Sequence, residues 1–287
     1  MNYRHSFHAG NFADVFKHIL LTRILTHLLK KATPLRYVDT HSGAGIYDLA
    51  GAAAVRSPEW RDGVARLARA LDGLRDGAVK DLLAPYLHCL GPFDAAGRPS
   101  PYPGSPAIAQ HMLRAQDRMT FCELHKGDVK ELTRAIGRDR RAKVIAIDGY
   151  TALNAYVPPR ERRGLVLIDP PFEDSGEFER LEAGVARAVK KWPTGVYALW
   201  YPVKQARQAR GLAEGLGAGA GRPMLVTEFF TGEAALREAR GLTGCGLIVI
   251  NPPHTLESEA RLLLPFLSAA LGREGGGAWT ISPVNKA

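Results

Sequence analysis

The chain has little cysteine. Its three, Cys89, Cys122 and Cys245, are far apart and form no C-x-x-C pair. That excludes a disulfide framework and a zinc ribbon and points to a reducing compartment. No run of about 18 apolar residues occurs, and no apolar stretch follows Met1-Asn2-Tyr3-Arg4-His5, so neither a membrane span nor a signal peptide is expected and a cytoplasmic location follows. None of the nine histidines falls into H-E-x-x-H or a Cys/His cluster, so no metal is expected. Internal repeats and low-complexity tracts are missing as well, the nearest being the Gly/Ala stretch 215–221. What is present is an ordinary globular mixture, 46% hydrophobic and 23% charged over 287 residues, which excludes a disordered chain. The length suits one large domain or one domain with an insertion.

Acidic residues are in deficit. Lys and Arg number 38 against 29 Asp and Glu, a net charge of +9. Such a balance favours a polyanionic partner such as nucleic acid, although a genome rich in arginine codons produces the same bias. The charge is uneven. Residues 1–36 carry six basic side chains and one acid, Asp14. A second basic cluster comprises Arg134, Arg138, Arg140, Arg141 and Lys143.

Phe12, Val15, Phe16, Ile19, Leu20, Ile24 and Leu28 recur at helical spacing, so 11–31 reads as a helix capped by Asn11 and stopped by Pro34. Strands are expected at Leu35–Asp39, Met119–Glu123, Lys143–Asp148, Leu165–Asp169, Gly195–Tyr201, Leu225–Phe230 and Leu247–Ile250, with helical segments between them. The fold class is therefore α/β with a mostly parallel sheet covered on both faces. Between 51 and 105 only helical patterns and a Pro/Gly-rich loop appear. This divides the chain into a sheet domain, 1–50 with 106–287, and an inserted helical subdomain, 51–105, whose seven basic and six acidic residues leave it nearly neutral.

Four carboxylates, Asp39, Glu123, Asp148 and Asp169, end four of these strands, where open α/β sheets bind ligands. Asp39-Thr40-His41-Ser42-Gly43-Ala44-Gly45 is a glycine-rich turn that lets backbone approach a ligand closely. It lacks the third glycine of a nicotinamide fingerprint, since position 48 is Asp48. Leu165-Val166-Leu167-Ile168-Asp169-Pro170-Pro171-Phe172 carries the sharper signal. The two prolines end ladder bonding and aim the Asp169 carboxylate and the Pro170 carbonyl at one place, where they can accept both hydrogens of an amino group. Phe172 follows directly and offers a flat ring beside that place. A second run, Asn251-Pro252-Pro253-His254, follows what reads as the last strand of the sheet, lacks the aromatic, and is taken as a strand end.

The Asp-x-x-x-Gly-x-Gly turn resembles the cofactor loop of class I S-adenosylmethionine-dependent methyltransferases, and Asp-Pro-Pro-Phe resembles the motif of amino-group methyltransferases. With Tyr3-Arg4-His5-Ser6-Phe7-His8-Ala9-Gly10-Asn11, Asp14-Val15, Lys17-His18, Tyr102-Pro103-Gly104-Ser105-Pro106 and Tyr197-Ala198-Leu199-Trp200-Tyr201-Pro202, the chain resembles bacterial 23S ribosomal RNA adenine-N6 methyltransferases of the RlmJ type over nearly its whole length. The resemblance implies a Rossmann-like fold with a small helical insertion and S-adenosyl-L-methionine as cofactor. It implies a specific adenine of 23S rRNA as the target, flipped out of its stack. It implies that Lys17, His18, His41, Ser105, Glu123, Asp148, Gly149 and Asp169 line the cofactor site, with Asp169, Pro170 and Phe172 catalytic. The motif's fourth residue is usually Tyr in that family and is Phe172 here, which keeps the ring. Tyr3 and Arg4, where charge, aromatics and resemblance coincide, are expected at the mouth of the pocket, Tyr3 near the base and Arg4 on a phosphate. A monomer acting on free rRNA or an early assembly precursor is expected. The alternatives are an adenine-N6 DNA methyltransferase, which would use the same motif, and a non-catalytic RNA-binding protein, which would need no cofactor turn. A glutamine-N5 protein methyltransferase would favour Asn where Asp169 stands.

Overall fold

The computed structural model describes residues 4–174, 176–203, 211–216, 221–232, 242, 244–273 and 276–284. A short 3-10 turn, His5–Phe7, leads into helix α1 (Phe12–Leu29), whose N-cap Asn11 accepts from the Asp14 amide at 2.9 Å. The first fourteen residues of α1 are all buried, Asp14, Lys17, His18, Thr22 and Arg23 included. It is therefore a central helix rather than a surface one, and its polar side chains require partners inside the protein.

The main sheet takes β1 (Arg36–Asp39), β4 (Arg118–Glu123), β5 (Ala142–Ala146), β6 (Gly164–Ile168), β7 (Val196–Pro202), β8 (Met224–Phe230), β9 (Gly244–Ile250) and β10 (Ala278–Val284), in the order β10-β8-β9-β7-β6-β1-β4-β5. Strands β5, β4, β1, β6 and β7 are mutually parallel. Strand β9 runs antiparallel between β7 and β8, and β10 pairs antiparallel with β8 at the edge. The order reverses between β1 and β6, and this switch point opens a crevice beyond their carboxyl ends. The pleat explains the continuous apolar runs. Tyr37, Leu165 and Leu167 enter the core shared with Phe16 and Ile19 of α1, whereas Val38, Val166 and Ile168 enter a second core on the opposite face. That second core is completed by Leu153 of α7 (Gly149–Tyr156) and by Leu181, Val185 and Val189 of α8 (Glu177–Lys191).

The expected strands are present, with ends shifted by up to three residues. One expectation is corrected. Leu247–Ile250 is neither the last strand nor at an edge: β9 is interior, and β10 follows it. The 278–284 segment carries no clean alternation, because it is an edge strand with mixed exposure and ends in Pro283 and Val284. The antiparallel direction of β9 sends Asn251 to the end of the sheet away from the crevice. There its amide donates to the Pro193 and Gly195 carbonyls at 3.0 and 2.7 Å, ahead of β7.

Between β1 and β4 lie α2 (Ala52–Arg56), a 3-10 turn Glu59–Asp62, α3 (Val64–Asp72), α4 (Ala78–Leu90) and α5 (Ser105–Met112). Val64, Leu67, Leu83 and Tyr86 join the same core as α1, so the segment packs onto the main body. The chain leaves and returns through a two-strand ladder, β2 (Ile46–Tyr47) against β3 (Tyr102–Pro103). The Gly104 amide also donates to the Gly45 carbonyl at 2.9 Å. That ladder brings Ser105 beside the glycine-rich turn.

Asp39, the last residue of β1, is fully buried at the switch point. Its Oδ2 accepts from the Tyr37 hydroxyl at 3.0 Å and the Ser105 hydroxyl at 2.7 Å. Its Oδ1 has no partner among the described residues. Burial pushes the carboxyl up to about 6 from 3.8, against the pull of the Ser105 and Tyr37 hydrogen bonds and with some help from the nearby Asp169 charge. Below the ordinary value the folded and unfolded chains both hold this proton. As pH rises towards 6 the unfolded chain releases it first, so stability is lost over that window. Two units correspond to about 3 kcal/mol. Urea unfolding of Asp39→Asn and wild type across pH 4–7.5 should show wild type losing about that much relative to the variant. Parallel profiles would show that Asp39 ionises freely.

Candidate active site

A cleft of about 930 Å³ opens at the switch point, floored by the carboxyl ends of β1, β4 and β6 and walled by α1 and by the residues before it. Its centre is a buried ion-pair chain. Lys17 Nζ lies 2.5 Å from Asp169 Oδ2 and 3.0 Å from Asp14 Oδ1. Asp14 Oδ2 in turn sits 2.9 Å from His5 Nε2 and accepts from the Gly10 amide at 2.9 Å. Burial alone would discharge these groups. The Lys17 ammonium is nevertheless held well above its usual range, because the Asp169 and Asp14 charges outweigh burial. Asp14 is held well below the carboxylate range against burial, chiefly by His5 and Lys17. Asp169 keeps its second oxygen without a hydrogen bond among the described residues, and its side chain is 17% exposed on the cleft.

Around this chain the local structure sets each group. Glu123, last in β4, is oriented by two backbone amides, Gly43 on Oε2 and His125 on Oε1, each at 2.8 Å. Gly43 has φ +59°, and a Cβ there would lie 2.3 Å from the Tyr47 hydroxyl, so the turn stays tight and bare only with glycine. His18 is buried, 3.1 Å from the Tyr102 hydroxyl, and burial lowers it to about 3. His41, 2.8 Å from the Thr40 hydroxyl, is lowered to about 4 by the same cause. Both rings are neutral near pH 7 and can donate from one nitrogen and accept at the other.

Lys17, His18, His41, Ser105, Glu123, Asp169, Pro170 and Phe172 all line the cleft. Asp148 and Gly149 do not. The Asp148 carboxylate caps α7, accepting from the Thr151 amide and hydroxyl at 2.9 and 3.0 Å, and lies 3.4 Å from Arg180. Gly149 is packed under His41, whose ring a Cβ would meet at 2.5 Å, so its smallness is what lets α7 approach the turn. Phe172 has φ +51° and is only 9% exposed, with Phe178 at 4.8 Å and Trp200 at 6.0 Å between centroids. Arg4 is half-exposed beside the cleft, 3.9 Å from Asp128. Tyr3 lies outside the described residues.

Several lining residues escaped the sequence reading as site residues. Asp14, His5 and Trp200 are three, the last with Lys17 Nζ 6.0 Å from its ring. Their signal was present as a buried acid one helical turn before Lys17 and as blocks of family resemblance, but nothing in the sequence shows which side chains of a buried helix face a cavity. The two Pro-Pro runs also differ in backbone. The positive φ falls on the fourth residue, Phe172, in one and on the first, Asn251 at +53°, in the other.

The lining is acidic, with Asp14, Glu59, Glu123, Asp128, Asp169 and Glu173 against the single ammonium of Lys17 and five histidines. Among the described residues no helix is long and apolar enough to cross a membrane.

Comparison with known proteins agrees with this architecture. Residues 32–284 match the family model described as Ribosomal RNA large subunit methyltransferase D, RlmJ. The Ribosomal RNA large subunit methyltransferase J of Escherichia coli (strain K12) is 40% identical over 284 residues, covering 98% of each chain. The protein of that name from Haemophilus influenzae is 38% identical over 282 residues, again covering 98% of each. A crystal structure of a Legionella pneumophila protein superposes with a TM-score of 0.85 at 35% identity, covering 96% of this chain and 98% of that one. The doubly wound sheet is thus a Rossmann-like methyltransferase fold, and the chain belongs to the ribosomal RNA large subunit methyltransferase family of the RlmJ type.

Proposed function

We propose that the chain transfers a methyl group from S-adenosyl-L-methionine to the N6 amino group of one adenine in 23S rRNA, with the base flipped into the cleft. The observation that carries this reading is the Asp169 carboxylate, which lines the cleft beside Pro170, held through one oxygen by Lys17 at 2.5 Å and with no hydrogen bond on the other among the described residues.

The residues present suit such a cofactor. Glu123, aimed by two amides at the end of the second parallel strand, would accept from a pair of ribose hydroxyls, with the bare Gly43 turn beside it. Ser105 gives its proton to Asp39 and so turns acceptor capacity towards the cleft, as an ammonium group requires. Lys17, His18 and His41 complete the proposed lining. When bound, the cofactor supplies an electrophilic methyl carbon on a sulfonium. The rest is positioning. The lone pair of an adenine amino nitrogen is delocalised into the ring, which makes it a poor nucleophile. Asp169 and the Pro170 carbonyl, as acceptors for its two hydrogens, favour a pyramidal nitrogen with its lone pair free for the methyl carbon. As the methyl leaves the sulfonium, which would become a neutral thioether, the nitrogen would shed one proton, and the Asp169 carboxylate would be the adjacent acceptor for it. Lys17 stays charged throughout and holds Asp169 in place. The aromatic surface for the flipped base comes from Phe172 together with Trp200, which is the more exposed of the two.

Labelled cofactor offered side by side to rRNA, DNA and protein, followed by mass spectrometry of nucleosides, tests the reading: N6-methyladenosine in rRNA is expected, and label only in DNA or protein overturns it. Asp169→Ala should abolish transfer and, by leaving the Lys17 ammonium to Asp14 alone, lower stability by about 3–5 kcal/mol, so transfer is assayed on protein shown by circular dichroism to be folded. Asn251→Ala should cost about 1 kcal/mol of stability, since it leaves two partly buried carbonyls without their donor, yet keep turnover near wild type. The reverse pattern would place the chemistry at the other Pro-Pro run. Glu123→Gln should weaken cofactor binding by about 1.5–3 kcal/mol in calorimetry, the scale of hydrogen bonds to a charged group. An unchanged Kd would remove Glu123 from the ribose.

A further inference from the structure

The charge of this chain is concentrated at the end of the sheet opposite the cleft. Four segments lead into the amino ends of β6, β1, β4 and β5, strands that are consecutive in the sheet. These segments are 30–36, 114–118, 138–143 and 160–163, and together they hold twelve Lys and Arg against three acids. That surplus of nine equals the +9 of the whole chain, so everything else in the molecule sums to zero. Parallel topology makes this a place rather than a coincidence of sequence, because every connection between parallel strands returns to the same end.

Contacts tie the segments into one surface. Arg114 donates to the Lys31 carbonyl at 2.8 Å, and Arg163 to the Thr33 and Leu28 carbonyls at 2.8 Å each. Arg141 reaches back to the Leu113 carbonyl, next to Arg114, and to the Gln110 carbonyl at 2.9 Å. The three acids are already taken by arginines of the same surface, Asp117 by Arg114, Asp139 by Arg141 and Glu161 by Arg36, at 2.6–2.9 Å. Nine cations are left without a carboxylate among the described residues, and eight of them are exposed. The Arg163 guanidinium is pushed below its usual range by burial and then by the neighbouring Arg114 charge, with Asp117 opposing.

Helix dipoles are the competing explanation, since cations suit helix C-termini. Helix α6 (Lys126–Ile136) with α1, α5 and α7 brings four C-termini to this end. At about half a charge each they supply roughly two negative units, far short of nine. Protection of an edge strand accounts for Lys143 on β5 only. Meanwhile the cleft is lined by six carboxylates, and the 51–105 segment is nearly neutral, so neither supplies a bulk grip on phosphates.

We infer that this pole is a second RNA-contacting surface, which binds the phosphate backbone of a part of the substrate RNA remote from the target adenine. The inference rests on rRNA being the substrate. The pole lies about one strand length behind the cleft, roughly 13–20 Å for four to six residues before loops are added, so only an RNA long enough to pass round the edge of the sheet reaches both.

The test uses a variant with Lys30, Lys31, Arg140 and Lys143 all changed to Ala, four exposed residues outside the proposed catalytic machinery. Binding is followed against salt concentration with a 23S rRNA transcript and with the shortest fragment of it that the wild-type chain methylates. On the transcript, the slope of log affinity against log salt should fall by about three, since each lost phosphate contact contributes roughly 0.7–0.9. On the short fragment, slope and turnover should match wild type. An unchanged slope on the transcript overturns the inference, and so does an equal fall on both RNAs, which would put these cations beside the target itself. Phosphatidylglycerol vesicles form a third arm. Loss of vesicle binding in the variant with the RNA slope intact would make the pole a membrane-facing surface and overturn the inference likewise. If the wild-type chain methylates no RNA at all, it is the proposed function that fails, and the transcript slope still decides the pole.

Discussion

The buried ammonium of Lys17 is the constraint around which the molecule is arranged. A lone charge inside a protein is too costly to keep, and this one is kept by carboxylates on both sides, Asp14 one turn before it and Asp169 from a strand 152 residues away. Removing one partner of such a buried pair typically costs about 3–5 kcal/mol, because the other is left uncompensated. The pairing therefore does two things at once. It seats α1 across the switch point of the sheet, and it fixes the carboxylate that the proposed chemistry depends on. His5, bound to the far oxygen of Asp14, brings the segment before α1 into the same arrangement.

Around that centre the fold separates two kinds of electrostatics. The carboxyl ends of the parallel strands gather acceptors: Asp39, Glu123 and Asp169, with histidines that burial keeps neutral. This environment suits hydroxyls, amines and a cationic cofactor, and it repels phosphate. The amino ends gather the cations. A protein that works on one base of a large RNA has reason to keep these apart, because a strongly basic cleft would draw the backbone into the place meant for the base.

The two Pro-Pro runs show how far local chemistry reaches. Both follow a buried apolar strand and both end its ladder. They differ in direction, since β6 runs parallel to its neighbours and β9 runs against them. That places Asp169 at the cleft and Asn251 at the other end of the sheet, where its amide only ties down the start of β7. The preference for Asp169 over Asn251 rested on the missing aromatic and on a supposed last strand. What separates the two positions is strand polarity: Asp169 lines the cleft and Asn251 does not.

By itself the sequence determined seven of the eight strands of the main sheet, the first helix, the glycine-rich turn and the set of strand-end carboxylates, because hydrophobic period, helix stops and turn residues are local properties; the edge strand β10 and the short β2–β3 ladder carry no such local mark. It also determined the family, through motifs spread along the whole chain. Strand order was left to tertiary structure, and with it three things. One was that Asp14, His5 and Trp200 face the cleft with Lys17, since a helix buried on all sides has no sequence mark for the side that meets a cavity. Another was that Asp148, one of four similar strand-end acids, gives one oxygen to the cap of α7 and turns the other to Arg180. The last was the basic pole, scattered over 134 residues of sequence from 30 to 163 and made continuous only because parallel strands bring all of their entry loops to one end.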